Sequence, residues 1–140
     1  MGGGERGLAL TRSLAAEGHA VRVVVEDPAG APAVREAGGE PWDGTPDRIG
    51  TLRYALDNVT VALWLLGDRT EGELHGSRLE FFLERLIDTT VRGFVYEDGP
   101  GRELVQRKCE YNEIPFRVVP HDAAAVRAAI DEVLAAERGA

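Results

Sequence analysis

Six residues at the amino end carry the chain's most suggestive chemistry: Gly2-Gly3-Gly4-Glu5-Arg6-Gly7, with glycines spaced Gly-x-Gly-x-x-Gly. Glycine lets a turn tighten, lets backbone approach a bulky anion, and lets the next helix lie close to a sheet. Leu8 to Glu17 follows with helical composition, and the first turn of a helix offers unpaired N–H donors and a partial positive charge. Together these make a cradle for a pyrophosphate, with Gly2, Gly4 and Gly7 beneath it and Glu5 and Arg6 at its rim. A chain with 17 glycines produces such spacings by chance, so the surrounding elements decide.

Downstream, the elements fit. Gly18-His19 reads as a turn, and Ala20-Val-Arg-Val-Val-Val25 as a β-branched strand ending in Glu26-Asp27. An acidic side chain at the end of that strand is where a dinucleotide-binding fold meets the ribose hydroxyls, which selects Glu26. A polar strand end before Pro28 explains the same residues equally well. Glu40 to Asp43 reads as a third strand, and the loop Gly44-Thr-Pro-Asp-Arg48 would lie beside an adenine. Asp43 and Thr45 are therefore candidate contacts, or else they make local turn and cap bonds. Val59 to Leu66 is apolar on both faces, as a central parallel strand must be. Leu66 and Gly67 end it at the carboxyl edge of the sheet, where ligands bind, and the polar loop from Asp68 to Glu73 follows.

The remaining elements alternate. Pro28 to Pro32 is a turn into a short helix ending near Ala37, Gly38-Gly39 stops it, and Ile49 to Leu56 is predicted as a helix. From His75 to Val91, Leu79, Phe82, Leu83, Leu86 and Ile87 recur at helical spacing as one buried stripe. Arg92 to Tyr96 is a strand, Arg102 to Tyr111 a helix and Ile114 to Val119 a last strand. A terminal helix then carries Val126, Ile130, Val133 and Leu134 on one face. This order predicts one α/β domain over residues 1–140, Rossmann-like, with a mostly parallel sheet covered by helices on both faces. A strand is expected ahead of the glycines, and only Met1 stands there. The first strand is thus truncated or missing, or another element or a partner chain fills its place, since an open row of backbone groups in mid-sheet is costly.

Composition narrows the function. With 140 residues and 44% hydrophobic content the chain is long enough to bury a core. No run reaches the roughly 18 apolar residues of a membrane span, and the glycine-rich start is not a signal peptide, so a cytoplasmic protein without membrane contact is expected. A net charge of −8 argues against nucleic-acid binding. Cys109 is the only cysteine, which excludes an internal disulfide and a thiolate metal cluster and suggests a small buried hydrophobe. His19, His75 and His121 lack ligand spacing, so no metal site is expected. His19 reads as a turn residue and His121 as flanking the last helix. Glu97 and Asp98 can be drawn as an acid/base pair at the sheet edge, but acidic turn residues before Gly99-Pro100 explain them more simply.

Four stretches, Gly2-x-Gly4-x-x-Gly7, Glu17-Gly-His-Ala-Val-Arg-Val-Val24, Ala55-Leu-Asp-Asn-Val-Thr-Val61 and Val91-Arg-Gly-Phe-Val-Tyr96, resemble the nucleotide-binding core of the extended and atypical short-chain dehydrogenase/reductase superfamily, of the NAD-dependent epimerase type. The resemblance implies a Rossmann fold binding NAD or NADP, with the glycines at the pyrophosphate and Glu26 at the ribose. The acidic residue favours NAD, although Arg22 or Arg6 could meet a 2′-phosphate. The chain departs from that family in its chemistry. Its Tyr-x-x-x-Lys pair is absent, because Lys108 is the sole lysine and Leu104 stands four residues before it. The family's serine or threonine after the fifth strand is replaced by Glu97 and Asp98, and its large carboxy-terminal substrate region has no counterpart. The implied function is a non-catalytic NAD(P)-binding domain. Alternatives are an oxidoreductase or epimerase-like enzyme drawing its acid from Tyr96, Glu97 or Tyr111, and a fold remnant without tight cofactor binding. A phospho-receiver reading, prompted by Val23-Val-Val-Glu-Asp27, fails for want of a placed acceptor aspartate and lysine. A missing strand also leaves surface that a homodimer would cover.

Overall fold

The computed structural model describes residues 4–67, 69 and 73–139; Gly2 of the glycine motif lies outside them. The first helix, α1 (Gly4–Ala16), starts inside the glycine motif rather than at Leu8, so Gly7 is already helical. Gly18, with φ of +89°, turns the chain into β1 (Arg22–Val25). A 3-10 turn, Pro28–Gly30, is capped by the Asp27 carboxylate accepting from the Ala29 N–H, and α2 (Ala31–Glu36) follows with Pro32 in its first turn. Next come β2 (Glu40–Asp43), β3 (Val61–Trp64), α3 (Ser77–Leu86), β4 (Gly93–Glu97), α4 (Arg102–Tyr111), β5 (Phe116–Val119) and α5 (Ala123–Gly139).

All three strand pairings are parallel, β1 with β2, β3 with β4 and β4 with β5. They form two pieces, one of β1 and β2 and one of β3, β4 and β5, and among the described residues no strand joins them. The two pieces share the cores on both faces. On one face Val24 packs with Leu52, Trp64, Phe82, Phe94 and Tyr96, under α3 and α4; on the other Val21 packs with Val61, Val95, Ile130 and Val133, under α1 and α5. Arg127 of α5 ties these last two helices together through Glu17, the residue after α1. β4 is the anchor, with all five residues buried. The predicted strand–helix alternation is thus present, in two sheet pieces that share their cores.

Three predicted features differ. Ile49 to Leu56 forms two 3-10 turns, Ile49–Leu52 and Tyr54–Leu56, instead of one helix. The Thr51 hydroxyl donates to the Arg48 carbonyl and accepts the Thr45 N–H, bonds that compete with a regular helix. β3 was expected to be covered on both sides, yet Val61 and Leu63 are only half-buried. Ile87 lies one residue beyond α3 and is 49% exposed, while Leu79, Phe82, Leu83 and Leu86 of its stripe are core. Among the described residues no helix is long and apolar enough to cross a membrane.

Close approach sets one glycine. A Cβ on Gly93 would lie 1.9 Å from Val133 Cγ1, so α5 can rest on β4 only because that side chain is absent. Gly93→Ala is expected to cost about 2 kcal/mol, the ordinary penalty of overpacking a tight core. Urea denaturation checks this; a change within 0.5 kcal/mol, roughly the size of a surface substitution, would show that α5 can shift freely.

Candidate functional site

The carboxyl edge of the sheet gathers most of the predicted site residues, through two ion pairs. Arg6 in the first turn of α1 reaches Glu97 at the end of β4, with donors 2.5 and 3.4 Å from its two carboxylate oxygens. The same carboxylate accepts the Gly67 N–H at 3.1 Å, so α1, β4 and the turn after β3 meet at one side chain that is 1% exposed. Glu97 is therefore no simple turn residue, contrary to the sequence reading. Asp98 beside it is half-exposed and pairs with Arg102 one helical turn on. Gly67 is wedged tightly: a Cβ there would lie 2.4 Å from the Asp98 carbonyl and 2.5 Å from His121 Nε2, the nitrogen that donates to that carbonyl. Gly4 is the opposite case. It has φ of +52° and nothing within 4 Å of where a Cβ would stand, so the start of α1 is open on that side.

The second ion pair joins Glu26 to Arg69, at 2.7 Å, across the mouth between β1 and β3. The candidate ribose ligand is thus already engaged, by a guanidinium that the sequence did not single out. Arg22 and Arg6 do not stand by Glu26. Arg22 bonds Glu40 and the carbonyls of Ala55 and Asp57 at the amino end of β1, and Arg6 is held by Glu97. Asp43 ends β2 opposite Val25, exposed. Thr45 is consumed locally, its N–H by Thr51 and its hydroxyl by the Asp47 N–H. That is the turn-bond alternative of the sequence reading.

Beneath the edge runs a buried relay that the sequence did not disclose. His75 Nε2 lies 2.9 Å from the Leu66 carbonyl and 2.7 Å from that of Arg69. Carbonyls only accept, so this nitrogen carries a proton, and Nδ1 accepts in that tautomer. Its donor is the Tyr96 hydroxyl at 2.6 Å, which in turn accepts the Gly101 N–H at 2.8 Å. Every polar atom of the relay is matched, and it ties the segment after β3 to β4 and α4. Burial raises the Tyr96 pKa above the usual 10.0, against the smaller lowering effect of the Gly101 N–H. A neutral phenol in this relay is a positioning group, not a ready acid. Leu66 faces the core with its carbonyl taken by His75 and by the Arg69 N–H.

The other candidate acids and bases lie elsewhere. Tyr111 is 85% exposed at the end of α4. Lys108, also on α4, pairs with Glu84 and Glu80 of α3 at 3.3 and 3.7 Å. Cys109 is buried, and burial pushes its thiol up to about 12. His19 is exposed, as a turn residue would be.

Parallel strands joined by helices, with α1 starting from a glycine turn at the carboxyl edge, define a Rossmann-like α/β fold. No family model matches the chain, and no curated protein matches it by sequence. Solved structures do match. The triphenylmethane reductase of Citrobacter sp., complexed with NADP(H), aligns with a TM-score of 0.65 at 15% identity, over 84% of this chain and 46% of its own. A second structure of that reductase gives 0.64, again at 15% identity and over the same shares of the two chains. The protein gox2253 gives 0.67 at 16% identity, over 84% of this chain and 48% of its own. The chain thus spans about half the length of these proteins, and what it shares with them is the fold.

Proposed function

We propose that residues 1–140 act as one NAD(P)-binding domain without hydride-transfer chemistry of its own. The observation that carries this reading is the start of α1: an open glycine at positive φ, at the carboxyl edge of a parallel sheet, with Glu26 at the end of the adjacent strand. Gly2, Gly4 and Gly7 would lie under the pyrophosphate with Glu5 and Arg6 at its rim, where backbone N–H groups and the helix dipole favour an anion. Glu26 would accept the ribose hydroxyls, with Asp43 and Thr45 on the adenine side and the Leu66-Gly67 turn flanking the cofactor. When bound, the nicotinamide supplies a hydride donor or acceptor. The NADP(H) complex of the Citrobacter reductase, on the same fold, supports a dinucleotide as the ligand class.

NAD is preferred in this reading, because the Glu26 carboxylate opposes a 2′-phosphate and neutralises the one guanidinium beside it, Arg69. The side chains support the absence of hydride-transfer chemistry in this reading. The only lysine is committed to α3, Tyr96 is locked in its relay, and Glu97 is held by Arg6. A cytoplasmic setting belongs to the same proposal, since a lone thiol such as Cys109 stays reduced there. A homodimer formed through helix faces also belongs to it.

Calorimetric titration with NAD and NADP tests the reading. The wild-type chain is expected to bind, NAD more tightly. Gly4→Asp is expected to weaken binding at least about tenfold, roughly 1.4 kcal/mol, by setting a carboxylate against the pyrophosphate. No heat with either nucleotide from a folded wild-type chain would overturn the proposal.

A further inference from the structure

Two acids follow β1, and the fold uses them differently. The Asp27 carboxylate turns back to accept the Ala29 N–H at 3.0 Å and caps the 3-10 turn. Glu26 instead reaches across the mouth, where its Oε1 accepts from Arg69 Nη1 at 2.7 Å. Its second oxygen has no bond among the described residues. Glu26 is 37% exposed and Arg69 33%, so the pair is open to a solute.

Arg69 is brought to this place by a fixed backbone. Its N–H donates to the Leu66 carbonyl at 3.0 Å, and its own carbonyl accepts from His75 Nε2 at 2.7 Å. The same nitrogen holds the Leu66 carbonyl at 2.9 Å, so one buried imidazole fastens both carbonyls. The Tyr96 hydroxyl and the Gly101 N–H fix that imidazole in turn. The buried relay thereby sets the backbone from which a guanidinium is presented to the end of β1. Arg6 and Arg22 cannot take its part. Arg6 is held by buried Glu97, and Arg22 by Glu40 and two carbonyls at the opposite end of β1.

Charge decides what this presentation means for a nucleotide. NADP differs from NAD by one phosphate on the adenosine 2′-oxygen, which brings about two negative charges at neutral pH. A carboxylate repels that group, whereas a guanidinium meets it with two parallel N–H bonds. Given a dinucleotide at this edge, the reading proposed above, we infer that Arg69 is the specificity-determining partner of Glu26: a resident ligand for a 2′-phosphate that the carboxylate holds out of use. With Glu26 ionised, its unbonded oxygen takes the ribose hydroxyls and its charge opposes NADP. With that charge removed, the guanidinium already stands beside the place the carboxylate held.

Calorimetric titration of wild type, Glu26→Gln, Arg69→Ala and the double variant with NAD and NADP tests the role of Arg69. The quantity read is the ratio of the two affinities within one protein, which cancels any general loss of fold. Wild type is expected to favour NAD. Glu26→Gln is expected to shift the ratio toward NADP at least about 30-fold, the worth of one charge-assisted hydrogen bond. Adding Arg69→Ala is expected to weaken NADP at least about tenfold and to leave NAD within about twofold. Arg69→Ala alone is expected to strengthen the preference for NAD, because the carboxylate loses its neutralising partner. Glu26→Ser is expected to shift the ratio in the same direction as Glu26→Gln, and it guards against an amide that stays bonded to Arg69. A ratio that neither Glu26 variant moves, or that moves as far when Arg69 is absent, overturns the role of Arg69 and leaves the NAD(P) reading in place. A wild type that already favours NADP overturns the restraint by Glu26. No heat with either nucleotide from folded wild type overturns the NAD(P) reading, and the role of Arg69 with it.

Discussion

Arg6→Ala is expected to lower stability by about 3 kcal/mol, because it strands a carboxylate inside the protein. Glu97 is 1% exposed and has three bonds, two from Arg6 and one from the Gly67 N–H. Removing one partner of a buried pair costs about 3–5 kcal/mol, since the remaining charge keeps its desolvation penalty and loses the attraction that offset it. The Arg6 side chain is 33% exposed, so water can partly take its place and the lower end of that range applies. Glu97→Gln in the same background is expected to recover about half of the loss: the amide oxygen still accepts from Gly67, and no charge is left buried. The double-mutant cycle, measured by urea denaturation followed by tryptophan fluorescence, isolates the pair. A loss under about 1 kcal/mol for Arg6→Ala would rank the contact with ordinary surface salt bridges, and α1 would then be held to the sheet edge by packing alone.

The reason this pair could not be read from the sequence is distance along the chain: Arg6 and Glu97 are 91 residues apart. Read alone, Glu97 before Asp98-Gly-Pro looks like a turn, because local pattern reports turn chemistry and knows nothing of a guanidinium arriving from another element. His75 was hidden in the same way, since its significance lies in a tyrosine 21 residues later and two carbonyls of a loop. Where local physics suffices, the reading succeeded. The three- and four-residue spacing of Leu79, Phe82, Leu83 and Leu86 is a burial pattern, and burial organises this fold. The helix predicted over Ile49 to Leu56 failed at Thr51, whose hydroxyl bonds depend on a loop folding back against it.

A loss of stability at alkaline pH should trace to Cys109. The thiol is 1% exposed on α4, and burial raises its pKa from 9.0 to about 12. A group whose folded pKa exceeds its unfolded one holds its proton longer in the folded state. Its contribution is therefore complete below pH 9 and is lost as pH rises toward 12. Three pH units at 1.36 kcal/mol each amount to about 4 kcal/mol in full, and about 2 kcal/mol is already gone by pH 10.5. Tyr96 acts in the same direction above pH 10, where its burial opposes ionisation. The window from pH 8.5 to 10.5 isolates the thiol, because the chain has a single lysine to titrate beside it. Urea midpoints across that window are expected to fall in the wild type and to stay nearly level in Cys109→Ala up to about pH 10, where Tyr96 begins to contribute. Equal slopes in the two proteins would mean that solvent reaches the sulfur, and the packing around Cys109 and Val105 of α4 would then be looser than a 1% exposure requires.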